Sequence, residues 1–319
     1  MEIIRAFLSS MPEACRTMVL ASEFSYWQIG GPVSLLVEPA SVEQLADAIK
    51  IKHQFSDSPC VVIGDGSNLL FDSQGIEGVV IKIANALSKY QVDGCIVTCE
   101  AGIWVPELAF RVSSLGLSGL EHTCGIPGRL GGLVCMNGGS NRKSILESVE
   151  SVTMINSCGE YETVKRTDIN FSYRNSPFQH DERLIAQVCL HLKPSSRKAI
   201  RSSMRHILKS RRLKFPRKLP NCGSVFLSDP SMYDKIGPPG YAIEKAGLKG
   251  TRQGQAQISQ LHANFIVNLG GASSNDVLYL IKLMRQKVYQ QTAFLMDCEV
   301  RYVSPKGQLL PAHIAALAR

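Results

Sequence analysis

Between Gly116 and Gly139 the chain reads GLSGLEHTCGIPGRLGGLVCMNGG, and no other stretch restricts its possible folds as much. It holds eight glycines and one proline: Gly116, Gly119, Gly125, Gly128, Gly131, Gly132, Gly138, Gly139 and Pro127. Glycine loses more conformational freedom on folding than any other residue, so this density needs a reason. Tight turns with positive φ are one reason, and close approach of backbone to another chain segment or a ligand is the other. Gly125-Ile126-Pro127-Gly128 followed by Gly131-Gly132 can aim several successive N–H groups at one anion. A loop wound from turns, with no ligand, would use the same residues. The stretch alone leaves both readings standing.

The chain has 319 residues, 45% of them hydrophobic, and a formal net charge of +8. That length supports two or three domains with their own cores. No apolar run approaches the roughly 18 residues of a membrane span, and the opening MEIIRAFLSSMPEACRTMVL lacks the basic start and apolar core of a signal peptide. Ten cysteines stand singly with no Cys-x-x-Cys pair, which fits reduced thiols in a cytoplasmic protein. Seven dispersed histidines in no ligand spacing argue against a metal site.

Positive charge is concentrated. No Asp or Glu occurs between Arg183 and Ser228, while Arg197, Arg201, Arg205 and Lys209 recur every four residues as one helix stripe. The stripe reads as a solvated helix face, as an attractor of phosphorylated small molecules, or as a nucleic-acid surface. No aromatic residue is interleaved with it, which weakens the last reading.

Along the chain, Gly30-Gly31-Pro32 turns into an apolar strand, and Val42, Leu45, Ala46 and Ile49 repeat at helical spacing. The run CVVIGDGSNLLF from Cys60 resembles a dinucleotide fingerprint but fails it, because Leu69 stands where the third glycine belongs and no clear helix follows. Val105, Leu108, Ala109, Val112 and Leu115 mark a helix entering the glycine-rich stretch. Strands follow at 149–155, 161–164 and 184–192. Ser274 caps a long helix with the stripe Val277, Leu280, Ile281, Met284 and Val288. In FLMDCEVRYV, Phe294, Met296, Cys298 and Val300 take one face of a strand, and Asp297, Glu299 and Arg301 the other.

Eight short motifs in fixed order resemble the MurB family, the UDP-N-acetylenolpyruvoylglucosamine reductases of peptidoglycan synthesis. They run from Ile29-Gly30-Gly31-Pro32 through Gly64-Asp65-Gly66-Ser67-Asn68-Leu69-Leu70 and the 116–139 stretch. Tyr173-Arg174-Asn175-Ser176-Pro177-Phe178, Gly223-Ser224-Val225-Phe226, Ala246-Gly247-Leu248-Lys249-Gly250, His262-Ala263-Asn264-Phe265 and Glu299-Val300-Arg301 follow. The resemblance implies an α+β protein: a two-domain FAD-binding fold of the vanillyl-alcohol-oxidase (PCMH) type plus a C-terminal α+β substrate-binding domain. The implied domains are 1–82 with the tail 303–319, 83–195, and 196–302. The short spacing from Arg174 to Ser224 is similar to the type II enzymes.

What the resemblance implies for chemistry is specific. Non-covalent FAD would take hydride from NADPH and deliver it to C3 of UDP-N-acetylglucosamine enolpyruvate, giving UDP-N-acetylmuramate. A cytoplasmic monomer is implied, with no nucleic-acid or membrane partner. Arg174 would stabilise charge developing on the substrate carboxylate, Ser224 would protonate C2, and Glu299 would stand near both. Gly64, Asp65, Gly66, Ser67, Asn68 and Leu69 would form one FAD wall; Gly125, Ile126, Pro127, Gly128, Gly131 and Gly132 would form the other. Tyr173, Lys214, His262 and Arg301 would contact substrate. The chain departs from the family pattern at Gln28, at Arg129-Leu130 in place of Thr-Val, at Phe215, and by one extra residue in Leu227-Ser228-Asp229-Pro230. Arg129 would either add a cation near phosphate or point outward.

Overall fold

A computed structural model describes residues 2–318. Near the N-terminus, the strands Cys15–Leu20, Pro32–Val37, Ile76–Lys82 and Cys60–Ile63 form a four-stranded sheet in that spatial order. Its first pair is antiparallel and the other two are parallel. The helix Val42–Gln54 lies in the crossover between the parallel strands Pro32–Val37 and Ile76–Lys82. That helix begins where the Ser41 hydroxyl accepts from the Gln44 amide, and it buries Leu45, Ala48 and Ile49.

The middle of the chain makes a five-stranded antiparallel sheet, ordered Tyr161–Lys165, Val149–Ile155, Leu184–His191, Ile96–Glu100, Tyr90–Asp93. Its inward residues Val97, Cys99, Val152 and Val188 share one continuous core with Leu35, Val37, Val79 and Ile81 of the first sheet. The basic helix, Arg197–Lys214, joins this same core through Ile200, Met204 and Ile207. Its opposite face exposes Arg197, Lys198, Arg201, Arg205, Lys209 and Arg212, none of them in an ion pair among the described residues.

A second core lies under the strands Arg252–Gln253, Ala256–Ile258 and Ile266–Asn268, the short helix Pro239–Lys245 and the long helix Ser274–Thr292. The cap of the long helix is Ser273, one residue before the expected Ser274, which is already helical: Ser273 and Asp276 close a reciprocal capping box. This core also takes in Trp27, Ile29 and Leu70 from early in the chain. Trp27 is fully buried, donates from Nε1 to the Ile266 carbonyl at 2.8 Å, and has its own carbonyl bound by Asn268.

A small sheet fastens the two ends of the chain together. Leu69–Phe71 pairs in parallel with Arg301–Val303, which pairs antiparallel with Leu309–Pro311. Leu70 and Tyr302 are buried in the second core, and the Tyr302 hydroxyl bonds the buried Asp72 carboxylate. The mixture of helices with several separate sheets is α+β. All ten cysteines are free, and only Cys158 is exposed. No described helix is long and apolar enough to cross a membrane.

Trp27→Ala removes a fully buried indole and orphans the Ile266 carbonyl. It is expected to cost about 3–5 kcal/mol, read as a lower midpoint in denaturant unfolding with the least stable cooperative unit containing residues 256–268.

Candidate active site

The turn Gly64–Asn68 emerges from the strand Cys60–Ile63 and feeds the strand Leu69–Phe71 without an intervening helix. Its N–H groups at Gly66, Ser67 and Asn68 donate to no group of the described protein. Three successive free donors in a turn form an anion cradle. Facing them is the second glycine loop. Gly128 has φ +132°, and a Cβ built there would lie 2.8 Å from the Ser67 hydroxyl oxygen. Only glycine lets the two walls meet so closely. The Gly128 carbonyl accepts from the Val105 amide, tying the loop to the helix Val105–Ser114. Gly125, Ile126 and Pro127 are half-buried beside it, while Gly131 and Gly132 open the helix Leu130–Cys135. Gly132 is exposed and a Cβ there would meet only open space. These free donors and Cβ-free walls fit a dinucleotide cofactor held mainly by backbone.

Glu299 and Arg301 lie beside the first wall. The Arg301 amide donates to the Asn68 carbonyl at 3.1 Å, and the Asn68 side-chain amide donates to the Glu299 carbonyl at 2.9 Å. Arg301 reaches Gln179 Oε1 at 3.2 Å and does not pair with Glu299. The partner of Glu299 is Arg174: Nε donates to Oε1 at 2.7 Å, with the two side chains 16% and 18% exposed.

Arg174 is held in the left-handed region at φ +52°, which is uncommon for a residue with a side chain. Its loop is fixed from several sides. Ser172 and Asn175 exchange backbone hydrogen bonds, Gln179 Nε2 donates to the Arg174 carbonyl, and the Ser176 hydroxyl donates to the Cys135 carbonyl. The guanidinium itself donates to the carbonyls of Gly139 at 2.8 Å and Asn137 at 3.4 Å. It also lies 5.1 Å from the Tyr173 ring centre. Partial burial, and next the Glu299 carboxylate, raise the Tyr173 phenol above its ordinary pKa.

Ser224 follows Gly223, whose φ of +78° turns the chain out of the Asn221 loop. The next residues are clamped on both sides. Asn264, 4% exposed, accepts from the Phe226 amide and donates to the Phe226 carbonyl, while its own carbonyl accepts from the Val225 amide. Across from it, the Glu299 amide donates to the Val225 carbonyl at 2.9 Å. Ser224 and Glu299 thus sit on adjacent backbone. The Ser224 hydroxyl has no hydrogen-bond partner among the described residues.

Lys214 and His262 form a second group, linked to the first through Asn264, whose amide donates to His262 Nδ1 at 3.2 Å. His262 packs with Phe215 and Phe265. Burial first, then the charge on Lys249, holds its pKa below the ordinary histidine value. Lys214 is exposed at the end of the basic helix. In the segment after Phe226, the Ser228 amide donates to the Tyr173 hydroxyl at 3.3 Å. Gln28 is exposed at φ +54°. Sequence reading passed over Asn137, Gln179 and Asn264, which hold Arg174 and Ser224 in place. The only sequence signal was that each lies in or next to a recognised motif.

Residues 215–303 match the family model of the UDP-N-acetylenolpyruvoylglucosamine reductase C-terminal domain, and residues 33–165 match an FAD binding domain. The chain is 45% identical over 300 residues to UDP-N-acetylenolpyruvoylglucosamine reductase 1 of Corynebacterium glutamicum, covering 94% of this chain and 89% of that one. It is 37% identical to reductase 2 of Symbiobacterium thermophilum, covering 86% and 87%. The crystal structure of the MurB reductase of Thermus caldophilus superposes with a TM-score of 0.75 at 30% identity, over 89% of this chain and 97% of that one. The chain therefore belongs to the UDP-N-acetylenolpyruvoylglucosamine reductase (MurB) family and is an FAD-binding oxidoreductase.

Proposed function

We propose that the chain reduces UDP-N-acetylglucosamine enolpyruvate to UDP-N-acetylmuramate at the expense of NADPH, with Arg174, Ser224 and Glu299 acting on the substrate. The observation that supports this most directly is the Arg174–Glu299 contact beside a hydroxyl free of protein partners. The chemistry FAD supplies when bound is hydride transfer, from the nicotinamide to C3 of the enolpyruvyl group.

Addition at C3 drives negative charge through C2 onto the substrate carboxylate. Arg174 is fixed in charge and forked, so it stabilises that charge in a defined orientation. C2 then needs a proton, and Ser224 is the donor in this reading: a hydroxyl is a weak acid, but an enediolate carbon is basic enough to take its proton when held in line. Glu299 orients the guanidinium through Nε, and its backbone fixes the strand beside Ser224. Gly64, Gly66, Ser67, Asn68, Gly125 and Gly128 bind the cofactor through backbone, with Asp65, Leu69, Ile126, Pro127, Gly131 and Gly132 completing the walls. Tyr173, Arg301, Lys214 and His262 line the approach of the anionic sugar nucleotide. Residues 1–82 with 303–319, 83–195 and 196–302 are the corresponding functional units. The basic helix attracts the two polyanionic substrates.

The purified protein should show a flavin absorbance spectrum that bleaches with NADPH and recovers on adding the enolpyruvyl sugar nucleotide under anaerobic conditions. A protein that stays colourless after incubation with FAD would sink the reading. Ser224→Ala is expected to leave bleaching by NADPH intact while slowing recovery by on the order of 10²–10⁴-fold. Equal loss of both half-reactions would remove Ser224 from its role. Arg174→Lys keeps the charge but loses the fork, and should lower turnover on the order of 10²–10³-fold, read in steady-state kinetics.

A further inference from the structure

Arg129 is the residue in the second glycine wall that the family pattern leaves unexplained, and its side chain turns neither outward nor toward an open anion site. It stands at the N-cap of Leu130–Cys135 in extended backbone, bridged to Trp104. Its Nε donates to Asp65 Oδ1 at 2.6 Å, and its Nη1 donates to Asn85 Oδ1 at 2.5 Å and to the Gly102 carbonyl at 2.8 Å. The Arg129 and Asp65 side chains are only 10% and 12% exposed. The stem of Arg129 lies over Gly64, where a Cβ would come within 3.3 Å of it. One guanidinium thus joins the first wall, the second wall and the two segments beneath them.

We propose that the Arg129–Asp65 pair is a latch that holds the two FAD walls in register before the cofactor arrives, and so sets how long FAD is retained. The inference rests on the FAD-binding reading of the two glycine loops. The charge of Arg129 is compensated by Asp65, so it is not a spare cation for the pyrophosphate. What the pair supplies is preorganisation: walls already apposed spare the cofactor the cost of ordering them. Each partner is nearly buried, so removing either leaves the other desolvated and unpaired. Three donor contacts to three acceptors use the planar fork of arginine. A lysine has the charge without that geometry and can restore only part of the function.

Arg129→Ala and Asp65→Asn should each weaken FAD binding roughly ten- to a hundredfold, seen as faster appearance of free-flavin fluorescence when holoenzyme is diluted. The double variant should lose little more than the worse single one, and Arg129→Lys should recover part of the retention. Retention within about twofold of wild type in both single variants, or fully additive losses in the double, would overturn the latch. Amide exchange on FAD-free wild-type protein tests the same idea even if Arg129→Ala fails to fold. The amides of Leu69 and Arg301, which donate to the first turn, and those of Leu130 and Gly131 in the second wall should open together, and should lose protection together in Asp65→Asn. Independent opening of the two turns would overturn the latch. A wild-type protein that takes up no FAD would instead bring down the flavin reading itself, an outcome distinct from variants that hold FAD as firmly as wild type.

Discussion

The parallel pairing of Leu69–Phe71 with Arg301–Val303 is the contact on which the rest of the site depends. It joins segments more than two hundred residues apart, Asn68 bonding to Glu299 across a separation of 231. In most α/β proteins a parallel pair is closed by a single crossover helix; here nearly the whole chain is the crossover. The consequence is geometric. The Gly64–Asn68 turn ends where Leu69 begins, and Glu299 lies two residues before Arg301, so the turn and the acidic residue emerge side by side. Leu70 and Tyr302 secure this strand pair from below in the second core.

Arg174 enters this arrangement from a third direction, on a loop whose backbone is held in an unfavourable region. Such strain, on the order of 1–3 kcal/mol, persists only where the surroundings over-determine it. The surroundings include the far end of the glycine-rich stretch. Asn137 Nδ2 donates to the Ser172 carbonyl, and the carbonyls of Asn137 and Gly139 accept from Arg174. The stretch therefore does two jobs: Gly125–Gly128 forms a wall opposite Ser67, and Asn137–Gly139 seats a cation.

Much of this was legible in the sequence because burial patterns are periodic. The alternation in residues 294–303 correctly assigned Met296, Cys298 and Val300 to the buried face, although regular strand pairing is confined to Arg301–Val303. The failed dinucleotide fingerprint was informative too, since a strand, not a helix, follows Asn68. The helix Leu130–Cys135 escaped notice because Gly131 and Gly132 have poor helical propensity. It forms through tertiary contacts, with the amides of Leu130 and Gly131 donating to Ile103 and Ala101. The stripe of the basic helix announced its exposed face, while its three core contacts, Ile200, Met204 and Ile207, are hidden among cations. The polar residues that hold Arg174 and Ser224 were illegible for a different reason. Sequence gives a residue's donors and acceptors, and only the folded backbone decides which of them meet.

For the proposed reaction, the ion pair between Arg174 and Glu299 raises the question of how a substrate carboxylate could use a cation that already has a partner. The answer lies in donor arithmetic. A guanidinium has five N–H groups, and the protein contacts of Arg174 engage one each at Nε, Nη1 and Nη2. Each terminal nitrogen keeps a second hydrogen, and the Nη1 contact to Asn137 is long at 3.4 Å. A carboxylate can therefore bind without displacing Glu299, whose grip on Nε fixes the rotation of the whole plane. A lysine ammonium, with three donors on a flexible stem, could not satisfy Glu299, Gly139 and a substrate while keeping a defined direction. In the proposed reaction Glu299 would act less by its charge than by holding Arg174 still, as its backbone holds the segment that carries Ser224.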